Sequence, residues 1–179
     1  MGAENEGPEA PADSAAPSSR LWGPYSAPAF AVALATLVLD QAHKWWMLNV
    51  YHIEAKGRVA VTSFFDLVYA KNTGVSYSMF DSSSYNWQLA LAAFAAAAAI
   101  GLWIWIARTD TSRLLAVSLA LIVGGALGNG IDRILLGGVA DYISLHAFGF
   151  YWYIFNIADV AIVAGVAGLL YDSVRAESH

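Results

Sequence analysis

The chain contains no cysteine, which excludes disulfides, thiolate metal sites, a cysteine nucleophile and lipid attachment through sulfur. Charge is also scarce, with Asp, Glu, Lys and Arg together making up 13% of 179 residues. Lysine occurs only at 44, 56 and 71, so a serine–lysine hydrolase would have to use Lys44, which is better explained by Asp40 four residues earlier. The four histidines, His43, His52, His146 and His179, show no HExxH or other metal-ligand spacing and are expected at interfaces or on the surface. No metal and no cofactor is expected. A GxSxG nucleophile turn and a phosphate-binding glycine loop are both missing, and there is no basic footprint for nucleic acid. The net charge of −5 owes much to Glu4, Glu6, Glu9 and Asp13, so it says little about partners.

Apolar residues are abundant. A hydrophobic content of 58% and a mean hydropathy of +0.51 point to an integral membrane protein. Four long apolar runs are predicted to be membrane helices, at about 27–50, 87–107, 114–136 and 151–171. The fold class expected is therefore an all-α polytopic membrane protein with four transmembrane helices. Between the first two runs, residues 52–85 are more polar and hold alternating stretches, Val59 to Ser63 and Phe64 to Lys71, with a turn at Asn72 to Gly74. They predict a small extracytoplasmic β-rich insertion. Residues 1–20, rich in Ala, Pro, Ser, Gly and Glu, predict a disordered tail, and their acidic start does not suit a cleavable signal. Residues 21–175 are read as one domain.

Aromatic residues bracket the first run, with Trp22 and Tyr25 at one end and Trp45, Trp46 and Tyr51 at the other. The second offers AAFAAAAAIG, small residues that let helices approach closely. Glycines 137 and 138 are expected to end the third, and the aromatic cluster Tyr151 to Tyr153 to open the fourth. Four spans put both termini on one side. Lys and Arg do not decide which side, since Arg20, Arg108, Arg113 and Arg175 stand against Lys56, Arg58, Lys71 and Arg133. The short connection between Arg108 and Arg113 favours cytoplasmic termini.

Ionisable groups in such segments are costly and mark functional sites. Asp40 and Lys44 share a face of the first helix and are expected to form a structural pair. Gly125, Asn129 and Arg133 form a stripe on the third, with Asp132 beside it as a local partner for Arg133; Asn156 and Asp159, three apart, share a face of the fourth. Asp141 follows the double glycine and approaches Asp159 if the last two helices pack as antiparallel neighbours. Two such carboxyls share a proton, one serving as general base on water and the other as acid, as in an aspartic protease. Spacing alone leaves open a structural polar network, a small transporter or a proton-conducting bundle, and a lipid-binding scaffold.

The motifs in order, Asp40 to Lys44, Asn72-Thr73-Gly74, GGALGNGIDR, VADYI and FNIAD, resemble those of the lipoprotein signal peptidases, the type II signal peptidases. The resemblance covers about residues 27 to 172. It implies a four-helix intramembrane aspartic protease with Asp141 and Asp159 as the catalytic dyad. Asp40, Lys44, Asn72, Gly125, Asn129, Arg133 and Asn156 become supporting or substrate-binding residues. It further implies a bacterial inner-membrane enzyme with its site towards the extracytoplasmic face. Its partners would be membrane lipids and diacylglyceryl-modified prolipoproteins, cut on the amino side of the lipidated cysteine, and a monomer is expected. Two departures stand out: Val75-Ser76-Tyr77 where the family usually has Ala-Ala-Phe, and Gly130 in place of a larger apolar residue.

Overall fold

The structure, a computed structural model, describes residues 21–74, 84–108 and 112–177. The expected tail at 1–20, the Val75-Ser76-Tyr77 departure and His179 lie outside the described residues. Helices α1 (Ser26–Asn49), α3 (Tyr85–Arg108) and α4 (Arg113–Leu136) have 24 residues each, and α5 (Ile157–Glu177) has 21. Between α1 and the sheet lies α2 (Ile53–Lys56), a single turn. Helices α3, α4 and α5 are long and apolar enough to cross a membrane; α1 matches them in length but carries Asp40 and Lys44.

Helix α4 is the centre of the bundle and packs against α1, α3 and α5. The shared core is built largely from alanines, among them Ala29, Ala33, Ala99, Ala116 and Ala120, so backbones approach closely. Large apolar side chains such as Phe94, Ile100, Val163 and Leu170 point outward and stay exposed, the arrangement of a bundle with lipid for its surroundings. At its start α4 is capped by Ser112, whose Oγ accepts from the Leu115 N–H at 3.0 Å. It ends at Gly137 with φ +68°, a left-handed cap that glycine adopts without strain.

The β-rich element differs from expectation in origin. Strands β1 (Val59–Ala60) and β2 (Phe65–Asn72) do come from the insertion after α1. They are joined by β3 (Val139–Ala147) and β4 (Phe150–Tyr151) from beyond α4, giving one antiparallel order β1-β2-β3-β4. Helix α5 accordingly starts at Ile157, not near Tyr151. The aromatic cluster that reads as a membrane-interface belt belongs to β4 and the segment after it. Within β3 the residues Val139 to Tyr142 are all buried, so the strand lacks the alternation that marks a half-exposed one.

A bulge in β2 decides which of its residues share a face with Asp141. Asp66 pairs with Ser144 and Leu67 with Ile143, but Ala70 pairs with Asp141 and Asn72 with Val139. Two residues, Val68 and Tyr69, therefore stand opposite Tyr142. Without the extra residue Asn72 would face position 138 and present its side chain to the other side of the sheet. The bulge places Asn72 on the face of Asp141.

Candidate active site

The last segment before α5 is tied edge-on to β3. Phe155 donates to the Ile143 carbonyl at 3.0 Å and accepts from the Ile143 N–H at 2.9 Å, which brings Asn156 level with Asp141. Asn156 is the N-cap of α5. Its Oδ1 accepts from the Asp159 N–H at 3.0 Å, and the Asp159 carboxyl accepts from the Asn156 N–H at 3.2 Å. This reciprocal capping box satisfies two backbone donors at the helix start. Asn156 and Asp159 are thus not two residues on a helical face, as their spacing suggests, but a cap and its third-position partner.

Asn156 also joins the two carboxyls. Its Nδ2 donates to Asp141 Oδ1 at 2.6 Å and to Asn129 Oδ1 at 3.1 Å. Asn129 in turn donates to Asp159 Oδ1 at 2.8 Å. The second oxygen of Asp141 accepts from Asn72 Nδ2 at 3.3 Å. Asp141 and Asn156 are buried. Burial, then the neighbouring Asp159, pushes the Asp141 carboxyl up to about 7 from an ordinary value near 3.8.

A second cluster supports the first. Lys44 Nζ lies 2.8 Å from Asp40 Oδ2 and 2.8 Å from Asp132 Oδ2, and donates to Asn129 Oδ1 at 3.0 Å. The expected Asp40–Lys44 pair is therefore a triad, and Asp132 belongs to it. The expected Asp132–Arg133 pair does not form. Arg133 turns away and donates to the Asn129 carbonyl and to the Gly74 carbonyl, each at 3.1 Å. Each acid of the triad holds one backbone N–H next to a dyad candidate: Asp40 holds Ala158 at 3.0 Å, and Asp132 holds Ala140 at 3.1 Å.

Gly125 contributes by having no side chain, since a Cβ there would lie 2.6 Å from the Ala158 carbonyl oxygen. It lets the head of α5 lie against α4. The structure thus brings together Asp40, Lys44, Asn72, Gly125, Asn129, Asp141, Asn156 and Asp159, with Arg133 at the rim. Two further residues escaped the sequence. Gln41 donates to Asp132 Oδ1 at 2.9 Å and to Asp40 Oδ2 at 3.2 Å. Gln88, buried on α3, donates to the Thr73 carbonyl at 2.6 Å. Nothing in composition or spacing marks either, although a glutamine inside an apolar run is itself a signal. The departure at Gly130 is mild, because a Cβ there would meet Ala95 at an ordinary 3.5 Å.

Two clefts open on this cluster. One, of about 840 Å³, runs between α3 and α5 past Leu91, Phe94, Ile162 and Val163, and reaches Asp159, Asn129 and Arg133. The other, of about 560 Å³, reaches Asp141 and Lys71 from the sheet side.

Apolar helices long enough to cross a membrane, closed around buried and hydrogen-bonded carboxyls, define an integral membrane protein with a polar site inside its bundle. The profile of the family described as Signal peptidase (SPase) II matches residues 32–175. A lipoprotein signal peptidase of Methylocella silvestris is 50% identical over 142 residues, spanning 79% of this chain and 82% of the relative. One from Beijerinckia indica is 47% identical over 145 residues, spanning 81% and 86%. A solved bacterial membrane enzyme is 25% identical and superposes with a TM-score of 0.69 over 85% of this chain and 90% of its own. The chain belongs to the signal peptidase II family and is a peptidase.

Proposed function

We propose that this chain is a membrane-embedded aspartic endopeptidase that removes signal peptides from diacylglyceryl-modified bacterial prolipoproteins, cutting on the amino side of the lipidated cysteine. The observation that carries this reading is the convergence of Asp141 and Asp159, from a strand and a helix start, on Asn156, whose side chain donates to the Asp141 carboxyl and whose backbone N–H donates to the Asp159 carboxyl, beside an apolar cleft that Asp159 lines. One carboxyl takes a proton from water, whose oxygen adds to the scissile carbonyl carbon. The other gives its proton to the carbonyl oxygen. The first then passes its proton to the nitrogen while the second takes one back from a hydroxyl of the tetrahedral adduct, and the C–N bond breaks to release the new amine. Asp141, which keeps its proton up to about pH 7, suits the acid.

The cleft between α3 and α5 suits a signal peptide, itself an apolar helix, and exposed Phe94 at its edge opens it towards lipid. Helix α1, roughly 36 Å long at 1.5 Å per residue, spans as a fourth crossing because Lys44 neutralises charge within the bundle. Residues 21–175 then act as one unit and a monomer suffices. In this reading both termini are cytoplasmic, in the bacterial inner membrane, and the sheet and the carboxyl pair lie towards the extracytoplasmic face.

The test is cleavage of a purified precursor supplied with and without its diacylglyceryl group, with the products mapped by mass spectrometry. Cleavage of the lipidated form alone, with the new amino terminus at the cysteine, is the expected result. Equal cleavage of both forms, or cutting elsewhere, rejects the substrate assignment.

The pH dependence follows from the shared proton. Turnover is expected to be bell-shaped, with limbs that belong to the pair. Because the Asp141 carboxyl is pushed up to about 7, the alkaline limb falls near that value and not among ordinary carboxylates. As pH rises through it the shared proton leaves and turnover drops. A rate still flat two units above 7, with chemistry rate-limiting, rules out this pair.

A further inference from the structure

Tyr153 lies on the segment between β4 and α5, three residues before Asn156. Its hydroxyl accepts from Asn72 Nδ2 at 3.0 Å. The Asn72 amide has two N–H donors and one carbonyl oxygen. Its nitrogen donates to Asp141 Oδ2 at 3.3 Å and to Tyr153, while its oxygen accepts from the Gly74 N–H at 3.2 Å. Of the two contacts besides Asp141, the Gly74 N–H, which can only donate, selects which end of the amide faces that carboxyl, and the Tyr153 hydroxyl, which donates or accepts, anchors the end so selected.

The direction of the amide has chemical consequences. With N–H towards Asp141, Asn72 donates to the carboxyl in either protonation state and favours the ionised one. With the amide turned over, its oxygen accepts only from a protonated Asp141 and repels the carboxylate. Without the hydroxyl, one half-buried N–H loses its acceptor and the Gly74 contact alone holds the amide in place. Tyr153 also occupies a particular place. Together with Asn72 and Trp152 it lines both clefts, the one that reaches Asp141 and the one that reaches Asp159. The bond from Asn72 to Tyr153 thus crosses the wall between them.

We propose that Tyr153 is a positioning residue whose hydroxyl anchors the Asn72 amide, which Gly74 sets with its N–H towards Asp141, across the partition between the two clefts. The proposal rests on the reading of Asp141 and Asp159 as the proton-sharing pair. Tyr153 acts through Asn72, and its ring serves as wall in either case.

The experiment uses the full chain in detergent or nanodiscs with a lipidated precursor. Tyr153→Phe keeps the ring and removes the hydroxyl. We expect turnover to fall about tenfold, with KM within about twofold of wild type, and the alkaline limb to move to higher pH as Asp141 loses an oriented donor. The other charged groups around Asp141, namely Asp159 on α5, Lys44 on α1, Arg133 on α4 and Lys71 on β2, are unchanged by this substitution. In an Asn72→Ala background the same substitution should have no further effect, because its path is gone. Wild-type turnover and an unmoved limb in Tyr153→Phe, or effects that simply add in the double variant, overturn the proposal. Where Asn72→Ala is too slow to time, the limb in Tyr153→Phe alone decides. Asp141→Asn serves as the control: if it still cleaves, the fault lies with the proton-sharing pair, whereas an inactive Asp141→Asn beside an unaltered Tyr153→Phe refutes the positioning role alone.

Discussion

Asp141→Asn and Asp159→Asn are each expected to lower turnover of a lipidated precursor by at least about 10³-fold while leaving the protein folded. The amide cannot take a proton from water and cannot supply one to the carbonyl, so either substitution removes half of a two-part step. Stability separates this loss from unfolding. At position 159 the carboxyl accepts from both Asn129 and the Asn156 N–H, whereas an amide has one oxygen for the two donors. Asp159→Asn should therefore weaken the cap of α5 by about 1 kcal/mol.

At position 141 the same loss of an acceptor is joined by a pH-dependent gain. The folded state holds the carboxyl up to about 7 from an ordinary value near 3.8. Between those values the unfolded chain releases a proton that the folded chain keeps, so stability declines as pH rises through the window and stays lowered above it. Asp141→Asn removes that pH dependence, and although its one amide oxygen serves only one of the two donors Asn72 and Asn156, its melting temperature should rise relative to wild type as pH increases towards about 7. A thermal melt in detergent beside the cleavage assay checks both statements. An inactive Asp141→Asn protein whose melting temperature does not gain on wild type as pH rises would leave misfolding as the cause. One that cleaves at the wild-type rate would remove Asp141 from the chemistry and favour a transport or scaffold role for the same residues.

The helices were legible because their cause is local. Apolar length, Ser112 as cap and Gly137 as terminator can each be read in sequence, and α3 and α4 begin and end within two residues of the expected positions. Strands β1 and β2 were legible too, but β3 was not, because it is buried without alternation and lies more than sixty residues from its partner β2. The cluster Tyr151 to Tyr153 misled for a related reason, since aromatics suit a sheet edge as well as a membrane interface. The polar residues of the site were legible by their cost in apolar surroundings, but their partners were not. Asp132 stands beside Arg133 in sequence, yet on a helix adjacent residues point about 100° apart, and the nearer cation in space is Lys44. The Asn156–Asp159 cap did leave a signal: Asn-Ile-Ala-Asp ahead of an apolar run has the pattern of a capping box.

Loss of Lys44 is expected to be strongly destabilising, by about 3–5 kcal/mol for buried charges left unpaired. Lys44, Asp40 and Asp132 are all buried. The ammonium has three N–H donors, and its three acceptors are Asp40, Asp132 and Asn129. Lys44→Met leaves two carboxyls facing one another with Gln41 alone between them. Asp40→Asn is milder, because one cation then meets one anion and the amide oxygen can still accept from Ala158. The two-residue view predicts that Asp40→Asn restores Lys44→Met. The triad predicts only partial recovery, because Asp132 stays buried without a cation, and fuller recovery when Asp132→Asn is added. Activity should not return with stability. Amide oxygens at 40 and 132 can still hold the N–H groups of Ala158 and Ala140, the residues before Asp159 and Asp141, but loss of Lys44 removes the ammonium that orients Asn129 against Asp159. The triad therefore sets the two carboxyls in register with each other, and a triple variant that melts like wild type should still cleave slowly. Melting temperatures across the series test the charge argument, and a Lys44→Met protein no less stable than Asp40→Asn defeats it. Wild-type turnover in the triple variant would show that the carboxyl pair needs no such frame.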